Sequence, residues 1–159
     1  MDWIVFVICC LSCCAAATTG AMFPPGQWYL TLDRPSWTPP NWVFPVAWTT
    51  LYILMSLAAA RVAPMEGSGL PMALWALQIA LNTLWTPIFF GLRRFGGAIP
   101  VVLGLWVAVA ATMVLFWQLD TIAGLMFAPY LLWCTIASAL NIAMWRRNPQ
   151  VEPLVIDRI

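Results

Sequence analysis

Five long stretches of this chain consist almost entirely of apolar residues. An α-helix needs roughly 20 consecutive apolar residues to cross the hydrocarbon core of a bilayer, and its backbone polar groups must then be hydrogen-bonded within the helix itself. The stretches that meet this requirement cover about residues 3–23, 42–62, 70–92, 96–117 and 122–145. The pattern predicts an all-α fold: a polytopic membrane protein built as a five-transmembrane-helix bundle.

Composition agrees with a membrane environment and excludes several classes of protein. The chain is 63% hydrophobic and 8% charged, a balance that a soluble domain of this size cannot bury. It has no histidine, so neither a Ser-His-Asp triad nor histidine ligation of a metal or haem is available within it. Its net charge of +1 gives no basic surface for nucleic acid. We therefore expect one domain over residues 1–159 surrounded by membrane lipid, with no nucleic-acid partner, no catalytic residue, no metal and no cofactor.

The first apolar stretch has an acidic start and carries four cysteines. Asp2 stands where a secretory signal would have basic residues, so we expect the first helix to be retained. The four cysteines are Cys9, Cys10, Cys13 and Cys14. Thiols can bind zinc or an iron–sulfur cluster, but adjacent pairs on one helix point in diverging directions. We interpret them as small packing residues, and their role stays open.

One loop, about residues 24–41, is long and rich in proline and aromatic residues. Its prolines, at positions 24, 25, 35, 39 and 40, disfavour a regular helix and extend the backbone before them. Trp28, Tyr29 and Trp37 make it too apolar to lie free in water. We expect a folded cap that rests on one end of the bundle.

The arginines predict the orientation of the bundle. Five spans place the long loop, the loop after the third span and the C-terminus on one side of the membrane. That side carries Arg34, Arg93, Arg94, Arg146, Arg147 and Arg158, and the other side carries Arg61 alone. The positive-inside rule makes the first side cytoplasmic. The N-terminus is then outside, and loop 1 and the C-terminus are cytoplasmic.

Polar and aromatic residues fall at helical spacing on three spans. Residues at i, i+3, i+4 and i+7 share one helix face. The stripes are Trp48 and Tyr52 on the second span; Gln78, Asn82 and Trp85 on the third; and Tyr130, Trp133, Ala137 and Asn141 on the fifth. In this topology they converge in one leaflet beneath the loop.

An apolar hollow with a few fixed polar groups suits a flat, largely apolar ligand. Indole rings offer stacking faces and one N–H donor each, and Asn82 offers a donor and an acceptor. A plainer interpretation stays open: Gln78 and Asn82 would only bond neighbouring helices, and Trp48 and Trp133 would only pack. On the third span, Ala76 and Ala80 form a pair of small residues that permits close helix contact, so we expect a homodimer through this helix.

Three segments resemble the translocator protein family (TspO/MBR), also called tryptophan-rich sensory proteins or peripheral benzodiazepine receptors. They are residues 35–44 (PSWTPPNWVF) with 48–52 (WTTLY); residues 80–91 (ALNTLWTPIFFG); and residues 129–133 (PYLLW) with Leu140, Asn141, Trp145 and Arg146. The similarity runs in order through nearly the whole chain.

The resemblance implies a five-helix bundle, often dimeric, that binds porphyrins and other tetrapyrroles, sterols and benzodiazepine-type ligands beneath loop 1. By motif, the ligand-binding residues are Tyr29, Trp48, Asn82, Trp133 and Ala137, and Tyr29 rests on the resemblance alone. Secondary candidates are Trp37, Pro40, Gln78, Trp85 and Asn141. Ile142 replaces the tyrosine of the family's sterol motif, which puts sterol binding in doubt.

The sequence therefore favours a receptor or sensor for porphyrin-like ligands in a membrane, which we expect to be a bacterial cell membrane. Trp48 and Trp133 would sandwich or edge-contact the macrocycle, Tyr29 would close the site, and Arg34 is a candidate partner for a propionate. Two alternatives stay open: light- and oxygen-dependent porphyrin degradation, and facilitated transport of tetrapyrroles.

Overall fold

The computed structural model describes residues 1–154, so Arg158, which contributed to the predicted orientation, lies outside the described residues. Seven α-helices and one π-helical segment follow one another in this range. They are α1 (Trp3–Met22), α2 (Gln27–Leu30), α3 (Val43–Val62), α4 (Gly69–Thr86) with its π-helical continuation (Pro87–Gly91), α5 (Phe95–Leu119), α6 (Thr121–Met126) and α7 (Ala128–Arg147).

The all-α fold class is confirmed, with five helices long and apolar enough to cross a membrane. The spans are α1, α3, α4 with its continuation, α5, and α6 with α7, and each begins and ends within two residues of its predicted window. One expectation for the long loop is wrong. The loop contains a single helical turn, α2, because Pro24, Pro25 and Pro35 flank residues 27–30 without entering them.

The spans form a closed ring in which α1 packs on α3 and α4, α4 on α5, and α5 on α7. The ring closes between α3 and α6, at the end of the bundle away from the long loop. Toward the loop, large aromatic side chains bridge α3 and α7: Phe44 and Trp48 contact Trp133, and Trp48 contacts Tyr130. This separation leaves room for a cavity.

Polar contacts close the opposite end of the bundle. The Arg61 guanidinium at the end of α3 lies 2.6 Å from Asp120 Oδ2. Asp120 also caps α6, because its Oδ1 accepts from the backbone N–H groups of Ile122 and Ala123. At the same end, Asp2 N–H donates to Ala60 O at 2.7 Å.

Small residues bring α1 close to α3. Cys9 and Cys13 are buried, and Cys13 Sγ lies 3.7 Å from Ser56 Oγ. Within residues 1–154, no cluster of three or more potential metal ligands of the Cys, Asp or Glu type is present. The buried pair packs against α3, as small apolar residues do.

Proline shapes the end of the third span. Pro87 has no N–H to donate into the preceding turn, and the helix widens into a π-helical turn there, with Leu92 N–H donating to Pro87 O at 2.8 Å. Gly91 in this turn accommodates the Phe23 ring, since a Cβ at position 91 would come within 2.8 Å of it. The π-helical turn therefore anchors the start of the long loop to α4.

Candidate functional site

A cavity of about 330 Å³ lies between α3, α4, α5 and α7, beneath the long loop. Its size is at the lower end of the range for small-molecule sites. Seven of the ten candidate residues line it: Tyr29, Trp48, Asn82, Trp85, Trp133, Ala137 and Asn141. The structure thus brings residues of all three predicted stripes together around one space.

Asn82 joins three spans at the inner wall of this cavity. Tyr52 Oη of α3 donates to Asn82 Oδ1 at 3.2 Å, and Asn82 Nδ2 donates to Tyr130 Oη of α7 at 3.1 Å. The two phenols fix the amide orientation, and one N–H and one lone pair of Asn82 remain for other partners. Asn82 therefore both bonds neighbouring helices and faces the cavity, so the two interpretations of its role are compatible.

A second amide, that of Asn141, joins α7 to α4 and α5 nearer the loop. Trp85 Nε1–H donates to Asn141 Oδ1 at 3.0 Å, and Asn141 Nδ2 donates to the carbonyl of Phe95 at 2.8 Å. The Trp85 ring stacks on Phe89, with 4.8 Å between centroids. These contacts hold the indole of Trp85 as a fixed part of the wall.

Trp48 and Trp133 stand nearly perpendicular to each other. Their centroids are 6.4 Å apart and their planes meet at 82°. Trp48 also lies at 32° to Tyr52, and the ring of Phe44 meets Trp133 edge to face. A flat ligand therefore has the face of one indole and the edge of the other available to it.

The long loop closes the cavity through Tyr29, which is 6% exposed. Its ring packs edge to face against Phe90, with 5.4 Å between centroids. Burial raises the pKa of the Tyr29 hydroxyl, and the Arg34 guanidinium nearby acts in the opposite direction. The hydroxyl is therefore neutral at pH 7 and able to donate a hydrogen bond.

Contacts outside the cavity hold the loop in place. Asp33 N–H donates to Asn148 Oδ1 at 2.9 Å, and Asn148 Nδ2 donates to Asp33 O at 3.0 Å. The Trp28 ring lies beneath the Arg93 guanidinium, 4.8 Å from it, and stacks on Phe95. Asn148 is 3% exposed, and we call its pairing with Asp33 the Asn148 latch.

Sequence reasoning missed the Asn148 latch. Its one local signal was an asparagine directly after the basic last turn of the fifth span, a position typical of a helix C-cap. Several apolar wall residues were also missed, because Phe, Leu and Val are common throughout the chain. They include Phe44, Phe89, Phe90, Val102, Leu105 and Leu140.

Three of the secondary candidates do not line the cavity. Trp37 is 50% exposed at the outside of the loop. Pro40 borders a separate outer groove. Gln78 is fully buried one turn deeper on α4, where Nε2 lies 3.6 Å from Met55 Sδ. Gln78 shares the helix face of Asn82, but the cavity reaches only Asn82.

The cavity wall offers stacking surfaces, amides and hydroxyl groups for non-covalent binding. Among the described residues, its lining includes no carboxylate and no arginine. Asn82, Asn141 and Tyr29 supply fixed polar groups, and aromatic and aliphatic side chains supply the apolar surface. This arrangement suits an apolar ligand with a small number of hydrogen-bonding groups.

Comparison with known proteins gives a consistent result. The model of the TspO/MBR family matches residues 5–146. The chain is 53% identical to protein CrtK of Rhodobacter capsulatus, over 98% of this chain and 100% of that protein. It is 55% identical to a tryptophan-rich sensory protein of Cereibacter sphaeroides, over 93% and 94% of the two chains. It is 38% identical to the translocator protein of Homo sapiens, over 81% of each.

Proposed function

Because the chain belongs to the TspO/MBR family of integral membrane proteins, we propose that it is a receptor for porphyrin-like tetrapyrroles, which bind in the cavity beneath the long loop. The observation that carries this proposal is the convergence of Trp48, Asn82 and Trp133, from three different spans, on one apolar space. The macrocycle stacks on one indole and meets the edge of the other. To sandwich the macrocycle, the two indole faces would have to be parallel and roughly 7 Å apart, which is twice an optimal carbon–carbon contact distance. The planes of Trp48 and Trp133 instead meet at 82°.

The fixed amide supplies orientation. Asn82 is held by Tyr52 and Tyr130, so its remaining N–H can reach a polar atom of the ligand without first losing rotational freedom. Tyr29, at the roof, closes the site from the loop side.

Quenching of tryptophan fluorescence by protoporphyrin tests this function. Purified protein in detergent should bind with a dissociation constant that rises when Trp48→Phe and Asn82→Ala are combined. Trp117→Phe is the matched control, because that indole is exposed at the opposite end of α5. An unchanged dissociation constant in the double variant would place the ligand elsewhere.

Porphyrin degradation is a second candidate because the oxidisable indole of Trp48 lines the cavity and contacts three further oxidisable rings, those of Tyr52, Tyr130 and Trp133. A porphyrin excited by light beside these rings could be oxidised and broken down by dioxygen. Illumination of the complex and measurement of the Soret band separates the cases. Loss of more than one equivalent of porphyrin per protein indicates turnover, whereas stoichiometric bleaching indicates side-chain damage.

The structure supports binding more than transport. The cavity lies at one end of the bundle, and Arg61 and Asp120 join α3 to α6 at the other. Passage through the bundle would require that contact to break. Flux of protoporphyrin across liposomes containing the purified protein is the direct measurement.

We further propose that the protein lies in a bacterial cell membrane with the long loop and C-terminus in the cytoplasm, in agreement with the arginine distribution. It would form a homodimer through α4. Ala76 and Ala80 are both exposed on the outer face of that helix, where small residues allow close approach of a second copy. Ile142 stands where the family's sterol motif has a tyrosine, so sterol is not included in the proposed ligand class.

A further inference from the structure

A second space lies beside the cavity on the loop side. An outer groove of about 500 Å³ is formed by residues of the long loop alone, and it shares Pro39 and Asn41 with the cavity. Arg34 and Thr38 also line this groove. We call it the vestibule. It differs from the cavity in that its wall includes a cation.

Arg34 is placed to act on a ligand that extends out of the cavity. Its guanidinium carbon lies 5.6 Å from the ring centroid of Tyr29, the residue that forms the roof. Asp33, the neighbouring carboxylate, is turned toward Arg147, 3.3 Å away. Among residues 1–154, Arg34 forms no ion pair, so its charge is available to an incoming anion.

The vestibule wall is fixed before a ligand arrives. Pro35, Pro39 and Pro40 restrict the backbone, and Thr38 N–H donates to Pro35 O at 3.0 Å in a tight turn. A preformed wall lowers the conformational entropy that binding would otherwise remove. A macrocycle larger than the 330 Å³ cavity would extend beyond it, and this groove is the adjoining space beside Pro39 and Asn41.

We propose that the vestibule is a carboxylate subsite in which Arg34 selects flat apolar ligands with an acidic edge over neutral ligands of the same shape. This inference rests on the proposed function, since the apolar body of the ligand must occupy the cavity. For a porphyrin, the anionic groups are the two propionates. Arg34 would therefore determine specificity, and Trp48, Asn82 and Trp133 would determine binding of the ring.

The test compares protoporphyrin with its dimethyl ester, which has the same ring and no carboxylate. Wild-type protein should bind the acid more tightly than the ester. Arg34→Gln should raise the dissociation constant of the acid by about threefold, as expected for loss of a partly exposed ion pair. The dissociation constant of the ester should stay unchanged. Arg34→Lys, which keeps the charge, should restore part of the preference. The preference should decrease as salt is added, because exposed charges are screened.

Arg146→Gln is the control, since Arg146 lies in the last turn of α7 on the same side of the bundle and does not line either space. The subsite is wrong if Arg34→Gln weakens binding of the acid and of the ester equally, or weakens binding of neither. The cavity assignment still stands in that case, provided that Trp48→Phe weakens binding of both ligands. If neither ligand responds to Trp48→Phe, both the subsite and the proposed function are wrong.

Discussion

Trp133 presents its ring to Trp48 edge to face, with 6.4 Å between the centroids and 82° between the planes. The two residues come from α7 and α3, which are in contact through α6 at the far end of the bundle and through aromatic side chains here. The indole pair therefore both bridges the gap between the helices and forms part of the cavity wall.

Replacement of Trp133 by phenylalanine should weaken protoporphyrin binding by about threefold to tenfold, the range expected for loss of one aromatic contact. The cavity would gain space, and the contact with the Trp48 edge would be lost. Titration of the Soret band gives the dissociation constant. Trp117→Phe should leave it unchanged, and an equal loss in both variants would indicate a general effect of tryptophan removal.

Asn82→Ala should lower the free energy of unfolding by about 1–3 kcal/mol, because the buried phenol of Tyr130 and the half-buried phenol of Tyr52 lose their partner. Tyr52→Phe alone should cost less, since it removes one donor and leaves the Asn82–Tyr130 bond intact. The double variant should show a coupling energy of about 0.5–1.5 kcal/mol, measured by thermal unfolding in detergent. Strict additivity would mean that the two side chains do not interact.

Asn148→Ala should release the loop without altering the cavity wall, because Asn148 does not line the cavity. Both bonds to the Asp33 backbone would be lost. Hydrogen exchange of the Asp33 amide should accelerate, and association and dissociation rates of protoporphyrin should both rise.

Arg147→Ala is the matched control for the Asn148 latch. It removes a surface ion pair whose side chains are 47% and 63% exposed, and such pairs contribute little. If Arg147→Ala accelerates exchange as much as Asn148→Ala, the ion pair rather than the amide holds the loop.

Asp120→Asn should lower the free energy of unfolding at neutral pH. It should also reduce the loss of that free energy when the protein is acidified. Burial acts to raise the pKa of the Asp120 carboxyl group, but the Ala123 amide and Arg61 outweigh burial and place the pKa below its ordinary value of 3.8. A lowered folded-state pKa stabilises the protein above the unfolded-state value, and this contribution is lost as pH falls through the folded-state pKa. Asparagine is an equally good helix N-cap, so the variant keeps the cap and removes both the charge and the contact with Arg61.

The measurement for Asp120 is thermal unfolding between about pH 7 and pH 2. Wild-type protein should lose stability on acidification by more than Asp120→Asn does. Glu66→Gln, a change at an exposed carboxylate without an ion pair, should follow the wild-type curve. Parallel curves for wild type and Asp120→Asn would contradict the assigned role of the Arg61–Asp120 pair.

Much of the fold was predictable because lipid imposes a simple rule: each span must be long, apolar and helical. The stripes containing Trp48, Asn82 and Trp133 followed from helical spacing, since polar and indole groups are few enough on these spans to be conspicuous. The depth at which the cavity ends was not predictable. Gln78 shares the face of Asn82, but packing against Met55 fills the space around it.

Contacts between segments that are distant in the sequence could not be predicted from its local pattern either. The Asn148 latch joins residues separated by 115 positions, and no local spacing indicates such a pair. The arrangement of Trp48 and Trp133 likewise depends on how far α3 and α7 separate, which is set by the packing of the whole ring of helices. Helical spacing places two residues on a face but does not give the angle between their rings.

A structure of the protein in complex with protoporphyrin tests the central claim most directly. The claim predicts density for the macrocycle beneath the long loop, in contact with Trp48, Asn82 and Trp133, with its propionates directed toward Arg34. Density for the macrocycle on the lipid-facing surface, with the cavity between these three side chains empty, would contradict it.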